Sequence, residues 1–209
     1  MISVFEKMSE EDTKKVITNL NCRKNIFKKN KTILSNLENI DQICIVLSGT
    51  AIITKYDYYG NRIIIEHLQK NSVFGKTFSS NDNSSIIVEA TEDCEVLFLD
   101  YLTFIEKIAK NTIYSTIIDN ILKILSSKIE NSNNRIEILT NRTIREKLLN
   151  YFKIMAKGNM NNTFTLPFTF TDLADYLAID RCAMMREIKY LKEEKIIKCD
   201  KRKITLYVY

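Results

Sequence analysis

A single histidine, a single proline, four glycines and no tryptophan stand among 209 residues, and each shortage removes a class of chemistry. One histidine, His67, cannot provide the several converging ligands of a cupin-type metal centre. No Ser-His-Asp or Cys-His arrangement can be built around it either. Gly49, Gly60, Gly75 and Gly158 are isolated from one another, so there is no Gly-rich phosphate loop. Catalysis is not expected, and no metal ligands are assigned. Long apolar runs are also missing. Ile63-Ile64-Ile65 and its like are too short to span a bilayer, and acidic residues from Glu6 onward break up the N-terminal region. Neither a secretory leader nor a membrane partner is expected. The five cysteines, Cys22, Cys44, Cys94, Cys182 and Cys199, are scattered, odd in number and without CxxC spacing. Reduced thiols in a cytoplasm fit that pattern better than a disulfide framework.

What is present is a chain rich in Ile, Lys and Asn, with 45% hydrophobic and 27% charged residues, long enough to bury a core without disulfides or metal. The charge is unevenly divided. Residues 1–139 hold 17 Lys and Arg against 18 Asp and Glu, whereas residues 140–209 hold 14 against 8. A positive field confined to one end is the electrostatic footprint of a nucleic-acid-binding module.

From about Cys22 to Leu99 the pattern is of short strands. Gln42–Leu47, Ala51–Tyr56, Arg62–Leu68, Ile86–Ala90 and Glu95–Leu99 are rich in β-branched and aromatic residues. Turn chemistry separates them at Ser48-Gly49, Tyr59-Gly60-Asn61, Asn71-Ser72 and Asn81 to Ser85. A jelly-roll sandwich or small barrel is predicted. The period then changes. Between Thr112 and Leu139, apolar residues fall at Ile118, Leu122, Leu125, Ile129, Ile136 and Leu139, with Ser132 in the remaining place. Alternating steps of four and three make a heptad seam. A shorter stripe, Ile113, Ile117, Ile121 and Ile124, faces elsewhere. Two apolar faces call for two partners, the strands for one and a second copy's helix for the other. A single buried helix within a monomer is the alternative.

Thr143-Ile144-Arg145-Glu146 is a capping box that starts a helix running to about Lys157, ended by Gly158. The break between Leu139 and Thr143 is a hinge candidate. Thr169-Phe170-Thr171-Asp172 caps a short helix with Leu173, Ala174 and Leu177 inward, Ala178-Ile179 turns the chain, and Asp180 caps a second helix. In that helix Ala183, Met184, Ile188 and Leu191 take the buried side, leaving Arg181, Cys182, Met185, Arg186 and Lys189 outward. Two short helices across a tight turn put the N-terminal half of the second into a major groove. An arginine there can bond guanine N7 and O6. A hairpin, Ile196–Cys199 and Lys203–Val208 around Asp200-Lys201-Arg202, supplies a basic wing for phosphates.

Residues Thr169 to Ile197 resemble the DNA-binding region of the bacterial Crp/Fnr regulators, through Leu173-Ala174-Asp175-Tyr176-Leu177 and Asp180 to Ile188. The strands resemble that family's cyclic-nucleotide-binding roll, and Phe74-Gly75 falls where its Phe-Gly-Glu motif does. The resemblance implies an α+β chain: a double-stranded β-helix (jelly-roll) sensor domain over 1–111, a dimerisation helix over 112–139 and a winged helix-turn-helix over 140–209. It implies a homodimeric transcription regulator on a palindromic operator in double-stranded DNA, with RNA polymerase as a further expected partner. Arg181 and Arg186 are similar to the family's two base-reading arginines, and Thr169 to its phosphate-touching residue. Thr171, Cys182, Met185, Lys189, Lys201 and Arg202 complete the expected DNA surface. Ala178 stands where the family's turn usually has glycine.

The effector is harder to read. Cyclic-nucleotide binders of the family hold the ribose with the Glu of Phe-Gly-Glu and the phosphate with a downstream arginine. This chain has Phe74-Gly75-Lys76, with Ser84-Ser85 in place of the arginine pair. Losing that bidentate partner disfavours a cyclic nucleotide, so no cofactor is predicted, and Phe74, Gly75, Lys76, Ser84 and Ser85 mark only the expected pocket. Haem on His67 and a redox response at Cys182 are the alternatives, beside a regulator needing no ligand. Against these, His67 reads as a structural strand residue and Cys182 as a small residue tolerated in the groove. A winged helix that binds protein is a further class, separated from DNA binding by its weaker dependence on salt.

Overall fold

The computed structural model describes residues 3–35, 41–75, 86–108, 113–157, 159 and 162–207. Its contacts divide the chain into two compact units, residues 1–128 and 129–209, so the division falls inside a long helix.

The first unit opens with α1 (Glu10–Asn19), capped by Ser9, whose hydroxyl accepts from the Asp12 amide. Eight strands follow: β1 (Arg23–Phe27), β2 (Thr32–Ser35), β3 (Gln42–Ser48), β4 (Ala51–Tyr56), β5 (Arg62–Leu68), β6 (Val73–Gly75), β7 (Ile86–Ala90) and β8 (Cys94–Asp100). They form two antiparallel sheets, in the orders β1-β8-β3-β6 and β2-β7-β4-β5. Cys44, Val46, Phe74, Val96 and Phe98 of one sheet share a buried core with Ile53, Leu68, Val88 and Ala90 of the other. The first sheet is buried on its second face as well. There Ile43, Ile45, Val73, Leu97 and Leu99 meet Val16 of α1 and its C-cap residue Leu20, Phe104 of α2 (Tyr101–Ile108), and Tyr114, Ile117 and Ile124 of the long helix α3 (Ile113–Thr140). Burial on both faces is why β3 is a continuous apolar run instead of an alternation. Each such side chain removed from water contributes about 1.5–3 kcal/mol.

Two polar groups fasten α3 within this unit. The buried Asn120 amide donates to the carbonyls of Val4 and Glu6, at 3.0 and 2.8 Å, and so holds the N-terminal segment. The Lys128 ammonium reaches Glu66 of β5 at 3.1 Å and the Val73 carbonyl of β6 at 2.7 Å. Burial dominates both ionisable partners, raising the Glu66 pKa and lowering that of Lys128.

The five predicted strands are present within one residue of their expected ends. The sequence pattern missed α1, α2, β1, β2 and β6: β1 is nearly all exposed and β6 is three residues long, so neither has a readable period. Glycine is used where nothing else fits. Gly49 turns β3 into β4 at φ +77°, and a Cβ there would collide with the Asp93 carbonyl. Asparagine takes four of the other left-handed positions, at Asn21, Asn30, Asn71 and Asn162.

The second unit takes the C-terminal part of α3, then α4 (Ile144–Ala156), β9 (Thr163–Thr165), α5 (Phe170–Leu177), α6 (Arg181–Glu193), β10 (Ile197–Asp200) and β11 (Lys203–Leu206). The capping box is formed: the Thr143 side chain accepts from the Glu146 amide, and Glu146 accepts from the Thr143 amide. Helix α4 ends at Ala156; Gly158, the predicted stop, and Val208, the predicted end of the hairpin, lie outside the described residues. The three strands pair in the order β10-β11-β9. Leu148, Phe152, Leu173, Met184, Leu191 and Ile204 are among the buried core of this unit. Among the described residues no helix is long and apolar enough to cross a membrane.

Candidate nucleic-acid interface

The surface that carries the basic residues is built on α5, α6 and the β10–β11 hairpin. Thr169 caps α5, accepting from the Asp172 amide at 3.1 Å while its hydroxyl donates to the Asp172 carboxylate at 2.7 Å. The chain then turns at Ala178, which adopts the left-handed conformation at φ 51°, ψ 56°. Ile179 donates back to the Ala174 carbonyl, closing the turn at 3.1 Å. Asp180 caps α6 by accepting from the Ala183 amide at 2.7 Å. Met184, Ile188 and Leu191 fix the buried side of α6, with Ala183 only half-buried. Their burial forces Arg181, Cys182, Met185, Arg186 and Lys189 outward, and all five are exposed.

Thr169 and Thr171 are exposed at the start of α5, and Lys201 and Arg202 at the tip of the hairpin, where Lys201 takes φ +50°. Asp200 and Lys203 are paired across that turn. The residues predicted to meet DNA are thus exposed within one unit, on two helices and a hairpin that pack through a shared core.

Three cations that the sequence pattern did not single out hold these elements. Arg135 of α3 lies 4.5 Å from the centre of the Tyr176 ring and donates to the Tyr176 carbonyl at 3.3 Å. Lys147 of α4 donates to the Leu177 carbonyl at 3.5 Å, so both cations sit at the carbonyl end of α5, where its dipole favours them. Arg145 of α4 binds Glu187 and Glu194 beside α6. The signal available in sequence was Arg145 itself: a cation in the first turn of a helix is disfavoured by the dipole, which implies nearby carboxylates.

Three of the seam residues of α3 are exposed apolar side chains. Leu122 is 56% exposed, Ile129 62% and Ile136 59%, while Ile118, Leu125 and Leu139 are half-buried. Of the expected effector pocket, Phe74 lies in the core between the sheets and Gly75 at φ +107° passes so close to the Gln42 carbonyl that a side chain could not fit. Lys76, Ser84 and Ser85 lie outside the described residues. His67 is half-buried in β5, and among the described residues no three His, Cys, Asp or Glu side chains cluster in a metal-binding arrangement. Burial pushes the thiols of Cys22 and Cys94 up to about 11 and that of Cys44 up to about 12, so these are packing residues; Cys182 is exposed.

Residues 24–111 match the cyclic nucleotide-binding domain family. Over 186 residues the chain is 25% identical to the HTH-type transcriptional regulator ycf28 of Porphyra purpurea, an alignment covering 87% of this chain and 76% of that one. The fold is shared with CprK complexed with OCPA, at a TM-score of 0.73 and 16% identity over 92% of this chain and 89% of CprK. It is shared also with a Crp/Fnr family transcriptional regulator from Eubacterium rectale, at a TM-score of 0.65 and 15% identity over 97% of this chain and 92% of that one. Domain match, regulator relative and fold agree with one another: the chain contains a cyclic nucleotide-binding-type domain and shares the fold of that Crp/Fnr regulator over nearly its whole length.

Proposed function

We propose that this protein is a homodimeric, sequence-specific DNA-binding regulator of transcription that reads a palindrome with the N-terminal half of α6. In this reading α5, the Ala178 turn and α6 are a helix-turn-helix, and the β10–β11 hairpin is its wing. The observation that carries it is the freedom of two guanidinium groups. Among the described residues Arg181 and Arg186 make no hydrogen bond or ion pair. Arginines on a rigid, capped helix with no internal partner are poised for base edges, where a bidentate pair is worth about 1–3 kcal/mol of discrimination. Thr169, Thr171, Lys189, Lys201 and Arg202 border them as phosphate contacts, and Cys182 and Met185 lie between as groove-facing residues. The exposed seam of α3 supports pairing of two copies, because apolar residues recurring at heptad spacing and left in water call for a second helix. RNA polymerase is the expected protein partner.

The sheet unit is read as an effector-type domain with no assigned ligand. Lys76 in place of the acidic residue argues against a cyclic nucleotide. One observation favours a regulator that needs no ligand: Lys128 already ties α3 to the edges of β5 and β6 through Glu66 and the Val73 carbonyl.

Selection of bound fragments from random duplex DNA by ligand-free protein tests both readings. The expected product is a palindrome with half-sites about 34 Å apart. Arg181→Ala and Arg186→Ala should each weaken it by about 1–3 kcal/mol. Selection that succeeds only when cell extract is added would assign an effector. Equal binding of every sequence, by wild type and by the double variant alike, would overturn the proposal.

A further inference from the structure

We infer that Arg145 is a positioning residue for DNA recognition: its guanidinium locks α6 against α4 and neutralises two carboxylates carried beside the base-reading face. The inference rests on the reading of α6 as the recognition helix. Arg145 stands in the first turn of α4, where the helix dipole opposes a positive charge. All three nitrogens of its side chain are nonetheless engaged. Nε donates to Glu187 Oε1 at 2.6 Å, Nη1 to Glu194 Oε2 at 2.8 Å and Nη2 to Glu194 Oε1 at 2.5 Å. The fork on Glu194 is bidentate, the geometry in which a partly exposed ion pair holds a fixed orientation.

The two carboxylates are seven residues apart, so one guanidinium grips α6 at two points two turns apart. Glu187 directly follows Arg186, and Glu194 is the C-cap residue of α6. The apolar stripe of Met184, Ile188 and Leu191 decides which side of α6 is buried, but hydrocarbon packing is non-directional and tolerates some rotation of the helix. A recognition constellation tolerates only about 10–20°. Directional bonds at two heights supply the missing constraint. The same bonds mask two negative charges that would otherwise lie near phosphates, where unpaired carboxylates oppose the counterion-release attraction on which all DNA binding depends.

These two roles have different signatures. Discrimination is measured as the affinity for the selected operator divided by that for random duplex, with folding checked by thermal melting. Arg145→Ala should lower discrimination at least about fivefold, the lower end of what one misplaced base-reading arginine costs, and should weaken random-duplex binding too. Adding Glu187→Gln and Glu194→Gln to Arg145→Ala should restore random-duplex affinity while discrimination stays low. Arg145→Lys should keep random-duplex affinity but lose discrimination, since an ammonium cannot make the fork. Should Arg145→Ala fail to fold, Glu187→Gln with Glu194→Gln reads the same roles: random-duplex binding rises and discrimination falls. Wild-type discrimination in Arg145→Ala, or in the double glutamine variant, overturns positioning. A triple variant that binds random duplex no better than Arg145→Ala overturns masking. Arg181→Ala and Arg186→Ala run in parallel separate the causes: if they too leave operator binding unchanged, the recognition-helix reading has failed, not this inference alone.

Discussion

Ala178 holds the left-handed conformation at the turn between α5 and α6, a backbone region where a Cβ costs about 1–2 kcal/mol. The turn is obligatory, because the buried stripes of α5 and α6 converge only if the chain reverses within Ala178 and Ile179. Ala178→Gly removes that strain against an entropic cost of about 0.5–1 kcal/mol in the unfolded chain. The expected outcome is a gain of up to about 1 kcal/mol in chemical denaturation with operator affinity unchanged; a loss would mean that the alanine methyl is a packing group. Tyr151 shows the opposite imbalance. Its ring is well placed, 5.9 Å from that of Tyr176, but among the described residues its buried hydroxyl finds no partner, and burial raises its pKa strongly. Tyr151→Phe should stabilise by about 1 kcal/mol, seen as a rise of about 2–4 °C in melting temperature. A fall would show that the hydroxyl is bonded in solution. Neither feature could be read from sequence: Ala178 was visible only as a departure from the family pattern, and Tyr151 as one tyrosine among ten.

Among the elements, α3 was the most legible. A heptad repeat depends only on the spacing of apolar residues, so the helix and its seam were evident, and the helix ends where expected within a residue. The shorter stripe also proved real: Ile117 and Ile124 are buried against the sheet, and Ile121 packs partly against them. Exposure of Ile129 and Ile136 makes the seam testable without harm to either unit's core. Ile129→Glu with Ile136→Glu should give a monomer by sedimentation with the melting of the sheet unit unchanged. Operator affinity should drop about a hundredfold or more, since one half-site no longer raises the effective concentration of the other. A variant that stays dimeric would assign pairing to another surface. The caps of α4, α5 and α6 were equally legible, because Thr143, Thr169 and Asp180 act on amides within three residues of themselves. Helices α1 and α2 and strands β1, β2, β6 and β9 were not, having too little periodicity or length.

At the scale of the whole molecule, charge is distributed by unit. The surplus of positive residues lies almost wholly after residue 139, and many of those cations are exposed on α6 and the hairpin. Association with DNA should therefore fall steeply with salt: the slope of log affinity against log salt is about −0.9 per phosphate neutralised. Lys201→Ala with Arg202→Ala should make it shallower by about two, equally for operator and random duplex. A salt-independent affinity would point to a protein partner for the hairpin.

Local order came from the sequence itself: where five of the strands run, where helices are capped, which face of α3 carries the heptad seam, and which end is basic. All of these depend on residues close together in the chain, where spacing and capping chemistry act. Only the tertiary structure decided which polar side chains are consumed inside the protein and which are left for a partner. Arg145 meets carboxylates 42 and 49 residues away, Lys128 one 62 residues away, and Asn120 a carbonyl 116 residues away. No local period encodes such pairings, because they exist only once apolar burial has brought distant segments together; among the described residues Arg181 and Arg186 have none.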